Sequence, residues 1–458
     1  MKRASWLGSA ILWIFLTAAF GRAEQTPSDT KSPEVSQQKQ EKIAALETEL
    51  DRLRAEMAGL QKELERLRSQ AAKADDQGMA ARIAVLEATQ VKIETELARI
   101  AEELRLIGDA LDQVSENDRK RPTMTVYGTL QATKYNQRDS ILDAEAFELV
   151  LSGRPHPRLS FFAEIEFERA ASVGGPRGGE IVIEQAYASY TFAQLFSIRS
   201  GVLLVPFGNV NVDHFAPLRD VVRKPLVSFA IAPSDWTDNG VQISGRRLLG
   251  TTWLLEYEAA VIAGLDSHIT SVGAREARQA FGVDNNGNKA TVGRFAIKRG
   301  GSFETGLSGY TGNYDDLNRW RLKGWAADLR AEVGPLRLTG EFDHFTADRG
   351  VLASGQLTGY YVRASYDIRG GFLKKLAKDF DDPRLTFVAQ FDWATIEGPT
   401  VSDSLFEKNR ETGVTLGFAY RPSRQWVLKV NYETNTATNQ TLDRGTLKGW
   451  LASIGFVF

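Results

Sequence analysis

Five charged residues lie close together in one stretch between two apolar, strand-like segments. They are Asp213, Arg219, Asp220, Arg223 and Lys224. Fixed charges make and break no bonds, but in a narrow space with low-dielectric walls they create a field that sorts ions by sign. The stretch therefore predicts the constriction of a pore, provided that the rest of the chain builds a narrow space around it.

Six further basic residues fall on segments in which polar and apolar residues alternate. We expect these side chains to face a wet interior, because the positions next to them are mostly apolar. They are Arg158, Arg246, Arg337, Arg363, Arg384 and Lys429. Acidic residues are about as numerous on the same faces, so the sequence predicts a lumen lining without fixing which solute passes.

Residue types that carry catalysis or bind metals are scarce in this chain. There is no Cys, and the four histidines, His156, His214, His268 and His344, are scattered. Neither a Gly-x-Ser-x-Gly motif nor a His-x-x-x-His motif nor a nucleotide-binding loop is present. We therefore predict no enzymatic activity, no cofactor and no metal site. A net charge of −2 also argues against a nucleic-acid partner.

The element that would position the charges is a closed barrel. From Met124 to Phe458 hydrophobicity alternates with a period of two, and we count about sixteen such segments, most of them longer than strands of soluble proteins. Strands with one apolar and one charged face suit a barrel with lipid outside and water inside. The sequence predicts an all-β transmembrane barrel of about 16 antiparallel strands over residues 123–458.

Two details of this pattern lead to further expectations. The segment WRLKGWAADLRAEV changes phase near Gly324 and Trp325, which we interpret as a β-bulge. Short turns follow most even-numbered strands, and longer connections, notably 205–236 and 264–289, follow odd-numbered ones. Short turns on one side and long loops on the other are typical of outer-membrane barrels.

The C-terminal segment KGWLASIGFVF alternates up to its last residue. Trp450, Ile454, Phe456 and Phe458 share one apolar face. We expect this strand to close the barrel by pairing with the first strand. Its aromatic finish resembles the signal that the outer-membrane barrel assembly machinery reads.

The N-terminal part has a different organisation. Residues 1–23 have the charged, apolar and small-residue regions of a secretory signal peptide, and 24–40 are polar enough to predict a disordered linker. Residues 41–117 carry two heptad seams, which predict a periplasmic α-helical coiled coil. The phase break between the seams is either a stutter in one helix or the turn of a helical hairpin. An oligomeric coiled coil and a helix packed on its own chain both remain open.

Two sequence stretches resemble the phosphate-selective porin O and P family. They are VLLVPFGNVN at 202–211 and DWTDNGVQISG at 235–245, with HFAPLRDVVRKPLV between them. The resemblance covers about 125–458 and implies a homotrimer of 16-stranded channels whose third external loop, here about 205–236, folds inward.

These observations predict passive diffusion of small hydrophilic solutes across the cell outer membrane. The resemblance implies anions such as phosphate, whereas the mixture of acids and bases on the inner faces leaves the solute open. The expected partners are outer-membrane lipid, the barrel assembly machinery and two further copies of the chain. The alternative function is an envelope tether, in which the barrel mainly anchors the coiled coil in the periplasm.

Overall fold

The chain divides into two compact units, Met1–Asp118 and Arg119–Phe458. The computed structural model describes residues 31–71, 81–97, 99–100, 121–169, 179–212, 214–233, 235–270, 273–350, 354–378, 380, 382–397, 408–439 and 443–458. The signal peptide predicted over 1–23 lies outside these residues and stays a prediction.

The first unit contains a long helix, Lys31–Ala71, and a second helix over 81–97. The long helix begins inside the segment that we predicted as a disordered linker, so the linker prediction is wrong from Lys31 onward. Pro33 lies in the first turn, where a missing backbone N–H costs no hydrogen bond, and the Gln, Lys and Glu residues that follow favour helix. In the described residues, no helix is long and apolar enough to cross a membrane.

The two helices pack against each other as an antiparallel hairpin. Leu53 of the first helix forms one buried cluster with Ile93 and Ile100 of the second helical stretch. Near the other end of the pair, Arg68 lies 2.6 Å from Glu87. Leu53 precedes Arg68 in the first helix, but its partners Ile93 and Ile100 follow Glu87 in the second. The two helices therefore run in opposite directions, and the phase break marks a hairpin and not a stutter. Part of the seam is therefore covered by the chain itself, whereas oligomerisation stays a prediction.

The second unit is a closed barrel of sixteen antiparallel strands in the described residues, with β1 next to β16. This confirms the predicted barrel and its strand number. The strands are β1 Thr123–Tyr135, β2 Ile141–His156, β3 Leu159–Glu168, β4 Glu180–Ala193, β5 Phe196–Leu204, β6 Thr237–Leu249, β7 Trp253–Ile262, β8 Ala290–Arg299, β9 Phe303–Asn313, β10 Arg321–Val333, β11 Leu336–Ala347, β12 Gly355–Ile368, β13 Arg384–Glu397, β14 Lys408–Arg421, β15 Trp426–Asn439 and β16 Asp443–Val457.

The last strand closes the barrel against the first. Val126 and Phe458 exchange two backbone hydrogen bonds of 2.8 Å, just beyond the pairing of Tyr127 with Val457. Phe456 and Phe458 both pack against the Trp426 ring, with ring centroids 5.8 Å apart. Trp450 packs in the same way against Tyr432, with centroids 5.1 Å apart. The terminal residues therefore have partners in both neighbouring strands.

Alternate residues of each strand face opposite sides of the wall. On β13, Phe387 and Phe391 are 48% and 38% exposed, whereas the residues next to them, Thr386, Gln390 and Asp392, are at most 5% exposed. The exposed apolar side chains form the outer surface that lipid requires, and the polar ones point inward. The predicted alternation is confirmed, but part of the inner face is covered and not open to solvent.

The phase change in β10 has a different cause from the one that we predicted. β10 pairs with β9 and β11 without any shift of register, so the expected bulge near Gly324 and Trp325 is wrong. Leu322 and Ala326 point inward and are fully buried, whereas Trp325 points outward. The inner face is apolar here because it packs against other apolar residues inside the barrel.

The connection between β5 and β6, residues 205–236, folds into the barrel, and we call it the inward segment. It contains a turn of 3-10 helix, Ala216–Leu218, and a turn of π-helix, Val227–Ile231. Its apolar residues join those of the inner wall and of the connection after β7 in one buried cluster. The core of the barrel therefore lies between the inward segment and one side of the wall.

Candidate functional site

The two ends of the inward segment are tied together where they leave the wall. The Asn211 amide group donates to the carbonyl oxygens of Val205 and Trp236, at 2.8 and 3.1 Å, and its oxygen accepts from the Trp236 N–H at 2.7 Å. Gly208 has φ +66°, and a Cβ there would collide with the Glu341 carboxylate. A side chain at this position would be strained both by its backbone conformation and by the lack of space.

Carboxylates of the wall hold the backbone of the inward segment. Glu341 accepts from the N–H groups of Asn209 and Val210, and Asp392 accepts from Leu226 at 3.0 Å. The sequence showed these acids only as members of a mixed lumen lining. In the structure they are at most 5% exposed, so they hold the segment and do not face open solvent inside the barrel.

Asp220 is the centre of the anchoring network. Its carboxylate accepts hydrogen bonds from Arg421 at 2.9 Å, from Ser365 at 2.9 Å and from Arg337. Burial raises the pKa of Asp220, but the guanidinium groups of Arg421 and Arg337 outweigh this effect and lower it to about 2. The carboxylate therefore stays ionised and paired near neutral pH.

On the side of the barrel formed by β3 and β4, His214 of the inward segment lies beside two glutamates of the wall. His214 Nε2 lies 3.2 Å from Glu164 Oε2 and 3.2 Å from Glu184 Oε2. Burial lowers the pKa of His214, but hydrogen bonds to the two carboxylates outweigh it and raise the pKa to about 10. The Phe215 ring, next in the chain, packs edge-on against Tyr127 with centroids 5.3 Å apart.

Between the inward segment and the wall lies a cavity of about 300 Å³ that is rich in arginine. We call it the arginine cavity. Five guanidinium groups border it, and the carboxylate beside them is Asp220, which is itself ion-paired. The charged lining residues are Arg219, Arg330, Arg337, Arg363, Arg384 and Asp220. The arrangement is strongly cationic and can attract anions.

The arginines differ in how far their charge is offset. Arg330 pairs with Glu332 at 2.9 Å and Arg384 with Asp367 at 3.2 Å. By contrast, Arg363 donates to the neutral Gln390 amide oxygen at 2.7 Å, and Arg219 donates to the His214 carbonyl oxygen at 3.1 Å. The charges of Arg219 and Arg363 are therefore the ones least offset by a neighbouring acid.

The structure brings only part of the predicted constriction set together. Arg219 and Asp220 border the arginine cavity, whereas Asp213 lies outside the described residues. Arg223 pairs with Glu433 at 2.9 Å, and Lys224 pairs with Asp235 of the same segment. These two cations are partly neutralised beside a second, much smaller cavity of about 20 Å³.

The predicted lumen-facing residues also divide. Arg337, Arg363 and Arg384 border the arginine cavity. Arg158 lies in the turn before β3 and not on a strand, because β3 begins at Leu159. Arg246 is exposed near the end of β6, and its backbone N–H bonds to the Gln194 carbonyl oxygen at 3.0 Å.

Lys429 points inward as predicted but does not line open space. It is 1% exposed, and its Nζ donates to the Ala216 carbonyl oxygen at 2.7 Å. The inward segment covers it, which the strand pattern could not show. Arg330 and Arg421 were not among the predicted lumen-facing residues, although each occupies an inward position of a predicted strand, which is the signal that identified the others.

Comparison with known proteins gives the same fold. No profile of a known protein family matches the chain. An uncharacterised protein of Aquifex aeolicus is 27% identical over 326 residues, which cover 65% of this chain and 71% of that protein.

Among solved structures, the anion-selective porin from Comamonas acidovorans has a TM-score of 0.50 at 14% identity, covering 74% of this chain and all of that one. The channel DcaP of Acinetobacter baumannii has a TM-score of 0.47 at 11% identity, covering 74% of this chain and 97% of that one. At these identities the likeness shows the fold alone. The fold is that of the bacterial outer-membrane porins.

Proposed function

We propose that this protein is an outer-membrane channel for passive diffusion of small hydrophilic solutes, with a preference for anions, phosphate among them. The observation that carries the proposal is the arginine cavity, whose charged lining is five arginines and one aspartate and in which Arg219 and Arg363 donate to neutral groups. Such a lining concentrates anions and repels cations in a narrow lumen. The planar guanidinium group also matches the oxygen geometry of phosphate and carboxylate ions.

The burial and pairing of the acidic residues support the anion preference. Acids were as numerous as bases on the predicted inner faces, which left the sign of the field open. Glu341 and Asp392 are buried against the backbone of the inward segment, and Glu433 is paired with Arg223. Burial and pairing weaken their effect on an ion in the lumen, whereas Arg219 and Arg363 keep theirs. The net field at the arginine cavity is therefore positive.

The remaining expectations form part of the same proposal. A diffusion channel needs no catalytic group, so we propose no enzymatic activity. The resemblance to the phosphate-selective porin O and P family supports a homotrimer. The exposed Trp450 and Phe458, with the partly buried Phe456 between them on the same face, suit a signal for the barrel assembly machinery. The solved porin of Comamonas acidovorans is described as anion-selective, but at 14% identity the proposal depends on the arginines of this chain.

The test is electrical recording of the purified full-length protein in a planar lipid bilayer. We expect discrete conductance steps and, under a gradient of potassium chloride, a reversal potential of the sign that anion permeation gives. Added phosphate should lower the chloride conductance if it occupies the same cavity. Well-folded protein that produces no conductance would contradict the proposal and favour the tether, whereas a cation-selective channel would contradict only the anion preference.

A further inference from the structure

A buried group of acidic residues surrounds His214 on the wall opposite the arginine cavity. Glu164 and Glu184 come from β3 and β4, and Glu148 comes from β2. Each of these side chains is at most 6% exposed, and His214 is 5% exposed. The inward segment covers this group, so it does not act as part of the open lumen.

The spacing of three of these side chains matches the coordination shell of a metal ion. Glu164 Oε2, Glu184 Oε2 and a His214 ring nitrogen lie within 4.8 Å of one another, and the nitrogen is 3.2 Å from each of the two oxygens. Around a tetrahedral zinc ion with bonds of about 2.0–2.2 Å, ligand atoms are about 3.3–3.5 Å apart. Only small shifts would place the three atoms around one ion.

The local backbone is built to bring the two glutamates together. The pairing of β3 with β4 shifts between Glu164 and Ile165, which leaves Glu184 as an extra residue in β4. Glu184 and the next residue, Gln185, are both buried, although neighbouring residues of a regular strand face opposite sides. A bulge that re-aims a side chain in this way is common beside functional sites.

Glu164 is also held in place by neighbours, as a metal ligand usually is. The Tyr127 hydroxyl donates to its Oε1 at 2.9 Å, and Gln185 Nε2 donates to its Oε2 at 2.7 Å. Outer hydrogen bonds of this kind fix the orientation of a ligating carboxylate. Tyr127 belongs to β1 and Gln185 to β4, so neither donor depends on the inward segment.

An independent observation favours a cation at this group. Glu148 Oε2 is buried without any hydrogen-bond partner in the described part of the chain. Glu184, Glu166 and Glu164 lie near enough to interact with it electrostatically. A buried carboxyl oxygen without a partner is costly, and coordination of a metal ion is one way in which such a group is satisfied.

We propose that Glu164, Glu184 and His214 bind one divalent transition-metal ion, of which Zn²⁺ is the best representative. The ion would join the inward segment to β3 and β4. An imidazole nitrogen with carboxylate oxygens suits Zn²⁺, whereas Ca²⁺ and Mg²⁺ prefer ligand sets made of oxygen alone. This inference is independent of which solute passes the channel.

The test measures zinc bound to the purified full-length protein after treatment with a chelator. We expect one Zn²⁺ per chain by mass spectrometry and by competition with a coloured chelator. Glu184→Gln should weaken binding at least about 100-fold, and Tyr127→Phe about tenfold through the misaligned Glu164. The matched control is His268→Ala, because His268 lies in an exposed loop beside Asp266. Wild-type protein that binds Zn²⁺ no better than Glu184→Gln overturns the proposal.

Two substitutions of His214 separate a metal site from a simple ion pair. His214→Cys provides a zinc ligand without a positive charge, and His214→Lys provides the charge without an imidazole ligand. We expect the Cys variant to retain zinc binding and the Lys variant to lose it. The reverse result would show an ion pair and overturn the proposal. If either variant fails to form a heat-modifiable barrel on a gel, the zinc affinities of the wild type and of Tyr127→Phe are compared instead. Equal affinities would then overturn the proposal.

Discussion

Replacing Arg219 and Arg363 together by glutamine should abolish most of the anion preference. These two residues border the arginine cavity, and each donates to a neutral group. Arg219 donates to the His214 carbonyl oxygen and Arg363 to the Gln390 amide oxygen. The other cavity arginines are paired with acids. The double substitution therefore removes the charge that is least offset while keeping side chains that can still form hydrogen bonds.

The size of the effect follows from the dimensions of the cavity. A sphere of about 300 Å³ has a radius of about 4 Å, so an ion inside it passes about 5 Å from each guanidinium group. At that distance a unit charge contributes about 0.8 kcal/mol in a water-like medium. Two such charges attract an anion and repel a cation, so the energies of an anion and a cation in the cavity differ by about 3 kcal/mol. Screening at 0.1 M salt lowers this difference to about 2 kcal/mol. The ratio of anion to cation permeability should fall roughly 30-fold.

The assay is the reversal potential in a planar bilayer under a gradient of potassium chloride, measured at low and at high total salt. Screening should make the difference between the variant and the wild type smaller at high salt. Arg246→Gln is the matched control, because Arg246 is an exposed arginine near the end of β6 that does not border the cavity. An unchanged reversal potential in the double variant would mean that ions do not pass through the arginine cavity.

Three further predictions concern the anchoring network, the closing strand and the helical hairpin. Asp220→Asn should destabilise the folded barrel by about 3 kcal/mol and raise the noise of the single-channel current, because Arg421 and Arg337 lose their shared carboxylate. Thermal unfolding and bilayer recordings measure these effects. Asp284→Asn, which removes an ion pair in an exposed loop, is the control. Deleting Phe458 should sharply lower the amount of heat-modifiable protein in outer-membrane fractions, and normal assembly would disprove its role as a signal. Leu53→Ala should cost about 2–3 kcal/mol of hairpin stability in helical circular dichroism, whereas Val91→Ala, at a site 61% exposed, should cost little.

The sequence determined the wall of the barrel. Alternation with a period of two depends on neighbouring residues alone, because each strand residue faces the side opposite to the next one. The sixteen strands and their apolar outer faces were therefore predictable. The hairpin was only half predictable, because a heptad seam shows that a helix needs a partner and not which partner it has.

Only the tertiary structure decided what the inner face does. The inward segment covers Lys429, Glu341 and Asp392 and leaves Arg363 beside a cavity, although the strand pattern makes all four equivalent inward positions. The same packing explains why β10 has an apolar inner face without a bulge. Glu164 and Glu184 meet through the pairing of β3 with β4, and His214 joins them only when the segment folds in. Such contacts depend on how a long loop packs against a distant wall, and local periodicity carries no information about that.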